Sequence, residues 1–503
     1  MSESYDLIVI GAGMAGVAAA TKCASGGWRV GIVDSLPYGG TCALRGCDPK
    51  KILRRGAEII DSARLMRGKG IDEGGLRISW ADLMGHKHGF TDPVPQSMEN
   101  NLAGHGVDTL HGHANFTGPN RIEVDGTGYD AERVLIATGA RPRPLEFPGH
   151  EHLIDSTDFL DLDTVAPRIL FVGGGFVSFE LAHLAARVGS STVIVDRGAR
   201  PLTTFDPDLV ELLVARGRQV GVDLRRSTTI TSVQPGDRGY RVTLERDGQY
   251  ETVETDVVVH GAGRVAALDG LGLDAAGVEW GQRGVHVSGH LQSPTNPAVW
   301  AAGDSADTAG MALTPVAVSE AKVAASNMLK GTTTTPDYTG IPTAVFTIPE
   351  LVRVGMSEAE ATADEGIDLA VRYSDTSTWY SSYRIGETTS AAKILIDRTT
   401  DLIVGAHLLG PGSGELVNTL GLAVKLGLTT RQLKSATAPT PPTAPTSAPC
   451  SETGFASKHD RVDMRRPTCP VVWMNMDPVV GSSVIVSSRR PDQSGRQPDK
   501  DGA

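Results

Sequence analysis

Two cysteines near the amino terminus have a spacing suited to redox chemistry. Cys42 and Cys47 have four residues between them, and the other three cysteines of the chain stand alone. A thiolate attacks an acceptor, and a second thiol within reach resolves the mixed disulfide that forms. A helix that begins near Cys42 would lower the pKa of both thiols. Two buried and inert cysteines are the alternative interpretation.

A glycine-rich turn before this pair has the spacing of a dinucleotide-binding fingerprint. The apolar run Leu7–Ile10 predicts a buried strand, and an alanine-rich segment after the glycines predicts a helix. Gly11 permits the tight turn, Gly13 lets a pyrophosphate approach the backbone, and Gly16 lets the helix pack on the strand. A second strand ends at Asp34, whose carboxylate is placed to bind a ribose hydroxyl.

The fingerprint recurs in the middle of the chain. A strand predicted over residues 168–172 leads into Gly173 and Gly175, and Ser178 stands where the third glycine is usual. The following helix and strand end at Asp196. Two dinucleotide sites in one chain suggest that a hydride or electrons pass from one nucleotide to the other.

Length and charge limit the class of protein. At about 150 residues per domain, the 503 residues suffice for roughly three domains. The formal net charge is −12 and long lysine or arginine runs do not occur in the sequence, which argues against binding nucleic acid or anionic lipid. The acidic, glycine-interrupted start predicts neither a signal peptide nor a membrane span. Five cysteines favour a reducing cytoplasm over a secreted disulfide scaffold.

Two shorter glycine turns follow predicted buried strands. Residues 129–139 predict a hairpin that leads to a buried strand and the turn Ala137-Thr138-Gly139. A similar strand, Val299–Ala301, ends at Gly303-Asp304. Asp304 either binds a polyol hydroxyl or caps the next helix, and the pattern alone leaves both interpretations open.

The pattern changes after Pro336 to that of a separate α+β domain. Strands are predicted over 343–347, 392–396 and 402–408, and spacing of about 3.6 residues predicts a helix over 414–426. The proline-rich run from Ala438 cannot sustain a helix or a central strand, so residues 438–503 are predicted to be a disordered tail.

These motifs together resemble the class I pyridine nucleotide-disulfide oxidoreductases, flavoproteins that include glutathione reductase, dihydrolipoamide dehydrogenase and mercuric reductase. The resemblance covers roughly residues 4–437, with the motifs in the family's order. It implies an α/β fold with two Rossmann-like dinucleotide-binding domains and a C-terminal α+β dimerisation domain that forms a homodimer. It divides the chain into an FAD-binding domain in two parts, residues 1–165 and 288–335, and an NAD(P)-binding domain, residues 166–287, between them. A dimerisation domain follows over residues 340–437, and the tail covers residues 438–503.

The resemblance assigns roles around the cysteine pair. Cys47 corresponds to the thiol that touches the flavin and forms its charge-transfer complex, and Cys42 corresponds to the interchange thiol that attacks the substrate. Lys50 corresponds to a lysine that pairs with a glutamate, here Glu180, near flavin N5, and Lys51 is the alternative. A positive charge at that place stabilises the reduced flavin.

The resemblance also implies contacts with FAD and NAD(P)H. Phe176 falls where the family has an aromatic gate over the flavin, although such an aromatic is otherwise more often part of a core. Asp196 suits the ribose of NADH, whereas Arg197 and Arg200 suit a 2′-phosphate, and NADPH is slightly favoured. Arg264 corresponds to an arginine near that coenzyme. The other predicted cofactor contacts are Gly11, Gly13, Gly16, Asp34, Gly40, Thr41, Ala114, Thr138, Gly139, Gly173, Gly175, Gly263, Gly303 and Asp304.

The chain departs from the family pattern at the acid–base dyad. In the family, the partner subunit supplies a His-Pro-Thr segment followed by a glutamate, which together protonate the leaving thiol. Here Pro441-Pro442-Thr443 and Thr446 stand at those positions, so disulfide reduction is expected to be impaired. Met14 and Thr21 replace a serine and an arginine that bind glutathione in its reductase, which argues against that substrate. We hypothesise that residues from about Ala438 onward are a frame-shifted reading, because the pattern ends abruptly in mid-domain.

Three functions remain open from the sequence. The first is electron transfer from NAD(P)H through FAD and a Cys42–Cys47 disulfide to a disulfide or other small acceptor. The second is diaphorase, quinone or metal-ion reduction without a disulfide substrate, although no adjacent cysteine pair suits mercuric ion. The third is a flavin-binding redox sensor. A metal site is not predicted, because the histidines from His86 to His113 lack nearby acidic or cysteine co-ligands.

Overall fold

Residues 3–331 and 333–435 of the chain are described by a computed structural model. The predictions for the tail, including its frame-shifted origin, concern residues outside these ranges. Within them lie two units built on parallel sheets and a third built on an antiparallel sheet, which confirms the predicted fold class.

The first unit is built on a mixed sheet whose central strands are parallel. Its strands are β1 (Glu3–Ile10), β2 (Val30–Asp34), β3 (Val107–His111), β4 (Ala114–Gly118), β5 (Arg121–Val124), β6 (Thr127–Ile136) and β7 (Ala140–Pro142), and its helices are α1 (Met14–Ser25), α2 (Cys47–Leu65), α3 (Trp80–Thr91), α4 (Val94–Gly104) and α5 (Ser156–Phe159). The strand order is β3-β2-β1-β6-β5-β4, with β1 parallel to β2 and β6. Leu7–Ile10 are buried on both faces, as their unbroken apolar run predicts.

The second unit repeats the parallel pattern and adds an antiparallel sheet. Its elements are β8 (Arg168–Val172), β9 (Ser191–Val195), β10 (Val222–Arg225), β11 (Thr229–Pro235), β12 (Tyr240–Arg246), β13 (Gln249–Thr255), β14 (Val257–His260) and β15 (Arg264–Ala266), with helices α6 (Phe176–Val188), α7 (Pro207–Gln219) and α8 (Leu273–Ala276). The parallel sheet has the order β10-β9-β8-β14, and β11-β12-β13 form an antiparallel meander. The short strand β15 pairs with β7 and so joins this unit to the first.

The chain then returns to complete the first unit. The returning elements are β16 (Trp280–Gly281), β17 (Gly284–His286), β18 (Val299–Ala301), β19 (Ala306–Asp307) and α9 (Thr314–Lys330). Strand β18 adds to the first sheet by pairing parallel with β6. Helix α9 packs on α1, and the buried alanines Ala321, Ala324 and Ala325 share a core cluster with Ala19 and Ala20. Small side chains allow the two helices to approach closely.

The third unit is an antiparallel sheet with helices at its side. Its elements are β20 (Thr343–Val345), β21 (Glu350–Gly355), β22 (Leu369–Asp375), β23 (Ala391–Asp397), β24 (Leu402–Gly410), α10 (Glu358–Ala363), α11 (Tyr380–Ile385), α12 (Ser413–Leu426) and α13 (Thr430–Ser435). The order is β20-β21-β24-β23-β22. Val417 and Leu420 of α12 pack in the core of this sheet. The three strands and the helix predicted after Pro336 are confirmed.

The hairpin predicted over residues 129–139 is wrong in position. Strand β6 runs unbroken from Thr127 to Ile136, and the turn that pairs it with β5 lies earlier, at Asp125-Gly126. Both turn residues have positive φ, 44° and 87°, a conformation that Asp-Gly adopts readily in tight hairpins. In the described parts of the chain no helix is both long and apolar enough to cross a membrane.

Candidate active site

The cysteine pair lies where a short π-helix meets α2. Residues Thr41–Arg45 form the π-helix, Gly46 separates it from α2, and Cys47 is the first residue of α2. Gly40 has a φ of 65°, and a Cβ at this position would lie 2.5 Å from the Cα of Gly13. Glycine is therefore required at position 40, and the cysteine loop is held against the first glycine fingerprint.

The two thiols carry different charges in the reduced protein. A hydrogen bond from Cys42 lowers the pKa of Cys47 to about 6, and the ammonium groups of Lys50 and Lys51 act in the same direction. That hydrogen bond and burial raise the pKa of Cys42, which also contacts the side chain of Thr314. At neutral pH, a Cys42 thiol therefore donates to a Cys47 thiolate. The prediction that both pKa values are lowered is wrong for Cys42, because the hydrogen bond with Cys47 and burial raise its pKa.

A buried ion pair lies one turn along α2. The Nζ of Lys50 is 2.6 Å from Oε2 of Glu180, whose side chain is 3% exposed. The other oxygen of Glu180 accepts a hydrogen bond of 2.7 Å from the backbone N–H of Phe346. Lys51 is exposed, and its Nζ lies 4.4 Å from the centre of the Phe346 ring. Of the two lysines, Lys50 is thus the one that pairs with the glutamate, and the pair links α2 to α6.

The first glycine fingerprint has the close contacts that its spacing predicts. A Cβ on Gly11 would lie 2.4 Å from the carbonyl oxygen of Ala137, and one on Gly16 would lie 1.9 Å from that of Gly11. A Cβ on Gly13 would have only the Cα of Gly40 nearby, at 3.8 Å. It precedes α1, which has no side-chain cap, so its terminal N–H groups are available to an anion.

Several polar groups converge at the ends of β2, β6 and β18. Asp34 Oδ2 accepts a hydrogen bond of 2.7 Å from Ala12 N and so faces the fingerprint. The hydroxyl of Thr138 is buried without a partner among the described residues, and Gly139 beside it has room for a Cβ. Burial raises the pKa of Asp304 at the end of β18. Ala114 lies farther along the same sheet, at the first residue of β4.

These groups fit a bound FAD. A buried hydroxyl that lacks a partner gains a hydrogen bond from a ligand. The free N–H groups at the start of α1 suit the pyrophosphate, and a carboxylate at the end of β2 suits the ribose. The predicted contacts Gly11, Gly13, Gly16, Asp34, Gly40, Thr138, Gly139, Gly303 and Asp304 therefore border one site, at the carboxyl ends of parallel strands.

The second fingerprint is built in the same way. Gly173 has a φ of 97°, and a Cβ on it would lie 2.7 Å from the Cα of Ala262. Gly175 is the residue before α6, which also lacks a side-chain cap. Asp196 follows β9, and its Oδ1 accepts a hydrogen bond from Gly198 N. Arg197 is exposed. This arrangement fits the pyrophosphate and ribose of a second dinucleotide.

Phe176 lies at the first turn of α6 and is 50% exposed, so it is not a core residue. Gly263 has a φ of 105° and precedes Arg264, the first residue of β15. The guanidinium of Arg264 donates to the carbonyl of Ala140, and its charge opposes the effect of burial, which raises the pKa of Asp304. Arg264 therefore lies against Ala140 of β7 and within the electrostatic reach of Asp304, both in the first unit.

A buried ionic cluster joins the three units next to α2. Asp61 of α2 lies 3.0 Å from Arg187 Nε and 2.8 Å from Arg216 Nη2. Arg216 of α7 also contacts Glu387, which precedes β23, at 3.2 Å. Arg187 Nη2 donates to the carbonyl of Ile348 at 2.6 Å. Each charge in this buried cluster has an opposite partner, as burial of a charge requires.

A second ion cluster, with a buried ammonium group at its centre, links the second and third units. Lys393 Nζ lies 2.7 Å from Asp206 and Asp208 and 2.8 Å from Glu358. Its side chain is 3% exposed. The three carboxylates are close enough together to be candidate metal ligands, but the ammonium group occupies their centre. The cluster is therefore a structural ion network.

Four residues near the site were not assigned a role from the sequence. Glu320 accepts hydrogen bonds of 2.7 Å from Gly303 N, Thr308 Oγ1 and Tyr338 O–H, and so supports the turn before Asp304. Thr314 lowers and Asp48 raises the pKa of Cys42. The fourth residue, Arg45, lies within the electrostatic reach of Asp34 and Arg264. None has a motif, and only Asp48 could have been noticed, as an acidic residue directly after a cysteine of the pair.

Comparison with protein families finds two matches along the chain. Residues 5–321 match the family described as pyridine nucleotide-disulphide oxidoreductase. Residues 341–448 match the family's dimerisation domain.

Curated proteins with a similar sequence carry two different names. Glutathione reductase of Burkholderia cepacia is 31% identical over 428 residues, which are 84% of this chain and 92% of the relative. Glutathione reductase of Nostoc sp. is 30% identical over 440 residues, or 85% and 95% of the two chains. Mercuric reductase of Lysinibacillus sphaericus is 29% identical over 440 residues, or 87% and 80%.

Proposed function

Since the chain belongs to the pyridine nucleotide-disulfide oxidoreductase family, we propose that Cys42 and Cys47 are its redox-active pair and pass electrons to a small acceptor. The chain is a flavin-dependent NAD(P)H oxidoreductase, with FAD and NAD(P)H as cofactors. When bound, FAD supplies the two-electron chemistry that connects a nicotinamide to a dithiol. The observation that carries the proposal is the place of the cysteine pair at the start of α2, within one turn of the buried Lys50–Glu180 ion pair.

The two thiols divide the work according to their charge. For a disulfide acceptor, the sulfur of Cys42 bonds to one acceptor sulfur and gives up its proton, and the other acceptor sulfur leaves and ends as a thiol with that proton. The Cys47 thiolate then attacks the Cys42 sulfur, which closes the Cys42–Cys47 disulfide and releases the second thiolate. The pair gives up two electrons in this exchange. Lys50 keeps a positive charge at the start of α2, where it stabilises negative charge, and Glu180 holds the lysine in place.

The remaining assignments belong to the same proposal. The residues around the two fingerprints bind FAD and NAD(P)H, within the domain limits given above, and Phe176 acts as a gate. Exposed Arg197 and Arg200 favour NADPH slightly. The dimerisation domain supports a homodimer. The small number of cysteines favours the cytoplasm.

An anaerobic titration tests the redox-active pair. NADPH, and separately NADH, is added to the oxidised holoprotein while flavin absorbance is followed and free thiols are counted. We expect the wild type to take up one electron pair in the cysteines and a second in the flavin. Cys47→Ser should take up only one. The coenzyme that reduces the protein at the lower concentration is the preferred one.

A cysteine outside the pair provides the control. Cys23 is buried in the first unit, and its thiol pKa is raised by burial to about 12, so it has no thiolate at neutral pH. Cys23→Ala should keep the two-pair uptake of the wild type. If the wild type is fully reduced by one electron pair, the cysteines are not coupled to the flavin and the proposal is wrong.

A second function is favoured by one feature of the sequence. Pro441-Pro442-Thr443 and Thr446 stand where the family has its histidine and glutamate, so a diaphorase, quinone or metal-ion reductase is the alternative. A flavin-binding redox sensor would be reduced by NAD(P)H without turning over an acceptor. Steady-state rates with a quinone, ferricyanide and a small disulfide separate these cases, because the sensor gives no turnover and a diaphorase ignores the disulfide.

A further inference from the structure

Arg54 connects the helix that carries the thiols to the third unit. It lies four residues after Lys50 in α2, and residues at this spacing share one face of a helix. Its side chain is 13% exposed. Arg54 Nε donates to the carbonyl of Phe346 at 2.8 Å, and Nη2 donates to that of Thr347 at 2.9 Å. The remaining nitrogen, Nη1, pairs with Glu58 of the same helix. The guanidinium therefore binds the segment between β20 and β21.

The backbone of Phe346 is held from both sides. Its carbonyl accepts from Arg54 of α2, and its N–H donates to Glu180 Oε1 of α6 at 2.7 Å. The other carboxylate oxygen of Glu180 lies 2.6 Å from Lys50 Nζ, which is also 5.1 Å from the centre of the Phe346 ring. A closed ring of contacts thus runs from Lys50 through Glu180 and Phe346 to Arg54, and back along one turn of α2. Each of its hydrogen bonds includes a charged group and is stronger than a neutral one.

Glu180 depends on this ring for its orientation. Among residues 3–331 and 333–435, its carboxylate has two hydrogen-bond partners, the ammonium group of Lys50 and the N–H of Phe346. The second partner points at Glu180 only while the Phe346 backbone keeps its direction. Because Arg54 binds the carbonyls of Phe346 and the next residue, it fixes that direction.

We propose that Arg54 is a positioning residue for the Lys50–Glu180 ion pair and acts on it through the backbone of Phe346. The inference rests on the function proposed above, in which Lys50 stabilises negative charge and Glu180 holds the lysine. It gives the third unit a part in electron transfer, since the segment before β21 helps to place the ammonium group.

Glu350 braces the same arginine from the third unit. Its Oε1 lies 3.1 Å from Arg54 Nη2, and its Oε2 accepts a hydrogen bond of 2.7 Å from the N–H of Gly414 in α12. The side chain of Glu350 is 15% exposed. Arg54 is therefore held by the body of the third unit as well as by one loop.

Single-turnover reduction of the flavin tests this role. The oxidised holoprotein is mixed anaerobically in a stopped-flow instrument with increasing NADPH, and separately NADH, to obtain the limiting rate and the dissociation constant of the coenzyme. We expect Arg54→Met to lower the limiting rate about tenfold, because the ammonium group of Lys50 is no longer held in one geometry. The dissociation constant should change by less than about threefold, because Arg54 lies in α2 and at neither glycine fingerprint. Arg54→Lys keeps a charged donor for one carbonyl and should bring the limiting rate within about threefold of the wild type.

A double substitution shows whether Arg54 acts through the ion pair. Glu180→Gln keeps an acceptor for the Phe346 N–H but removes the charge that holds Lys50. The variant with both Glu180→Gln and Arg54→Met should be at most about twofold slower than Glu180→Gln alone, instead of showing the product of two separate losses. Arg54→Gln, which keeps one N–H₂ donor, replaces Arg54→Met in both experiments if the methionine variant does not retain FAD.

The next residue of α2 is the matched control. The side chain of Arg55 is 72% exposed and contacts Glu58 at 3.3 Å, so Arg55→Met should leave the limiting rate unchanged. A wild-type limiting rate in Arg54→Met, equal losses in Arg54→Met and Arg55→Met, or independent losses in the double variant would overturn the role of Arg54. Only the flavin is followed here, so failure of this test is distinguishable from failure of the electron count that tests the cysteine pair.

Discussion

At the scale of single residues, the hydrogen bond between the two cysteines makes their pKa values differ. Cys42 has the higher pKa and keeps its proton, so it needs a route for that proton before it reacts. Cys47 has the lower pKa and is ready to attack as soon as the mixed disulfide forms. The spacing of the cysteines predicts a reactive pair. It does not predict which thiol is ionised, because that depends on the donor and on the lysines of α2.

Removing the donor should raise the pKa of Cys47. In Cys42→Ala the largest cause of the low value is lost, so the thiolate absorbance of the reduced protein should titrate well above the wild-type value of about 6. The rate of alkylation at neutral pH should fall with the thiolate fraction. Cys42→Ser keeps an O–H donor and should keep a low pKa at Cys47. If Cys47 titrates in Cys42→Ala as it does in the wild type, Cys42 is not the donor that lowers its pKa.

Removing the cation of the buried ion pair should destabilise the protein. Lys50→Met leaves the nearly buried carboxylate of Glu180 without its partner, which costs about 3 kcal/mol for such pairs. We expect a lower midpoint of thermal unfolding and slower flavin reduction by NAD(P)H. The adjacent exposed lysine is the control, since Lys51→Met loses a ring contact worth about 1 kcal/mol or less. Equal effects of the two substitutions would argue against a special role for Lys50.

At the scale of elements, patterns of apolar residues predict the strands that carry the nucleotide sites. Strands β2, β8 and β9 lie within a residue or two of their predicted positions, and β1 ends at Ile10 as predicted but begins four residues earlier, at Glu3. The π-helix over Thr41–Arg45 is different. Its shape depends on the close approach of Gly40 to Gly13, a contact between segments far apart in the chain. Local sequence therefore could not show that α2 starts at Cys47.

Helix α9 should affect FAD binding through one carboxylate. Glu320 is 1% exposed and accepts hydrogen bonds from Gly303, Thr308 and Tyr338, so it fixes the turn that leads to Asp304. Glu320→Gln places an N–H₂ group against a donor, and a lost charged hydrogen bond costs about 1.5 kcal/mol or more. We expect FAD to bind roughly tenfold more weakly, as measured by flavin fluorescence on reconstitution.

The control for this helix is an exposed glutamate of another helix. Glu415 lies in the first turn of α12, and Glu415→Gln should leave the dissociation constant of FAD unchanged. If Glu320→Gln binds FAD as tightly as the wild type does, the turn before Asp304 does not depend on that carboxylate.

At the scale of the whole molecule, charged residues from separate units meet in buried clusters. Arg216 contacts Asp61 and Glu387, which are 155 and 171 positions away in the sequence. Such contacts bring the end of α2 together with the second and third units, and so fix the helix that carries the thiols. Because each of these residues would also suit an exposed helix surface, composition and periodicity could not predict that they pair.

Lys393 should be essential for the junction of the second and third units. Lys393→Met leaves Asp206, which is 2% exposed, buried beside two other carboxylates, and we expect a loss of about 3 kcal/mol. Calcium should restore part of the thermal stability of this variant, because three carboxylate oxygens then surround an empty position. The wild type should not respond to calcium.

The exposed ion pair of Lys425 with Asp337 is the comparison for this junction. Lys425→Met should change stability by less than about 1 kcal/mol, as expected for a surface pair. If Lys393→Met melts at the wild-type temperature, or if calcium stabilises both proteins equally, the buried ammonium group does not hold the junction.

The late arrival of strand β18 has a consequence for how the protein is made. The first sheet contains β6, whose partner β18 lies more than 160 residues later, after the whole of the second unit. At about 5–20 residues per second, a ribosome finishes the second unit before it delivers Val299–Ala301 and Asp304. The nascent chain can therefore fold its second unit while the first unit, the proposed FAD-binding one, is still missing a strand. Flavin capture is thus a late event in biosynthesis, and a chain stalled before Val299 should emerge colourless.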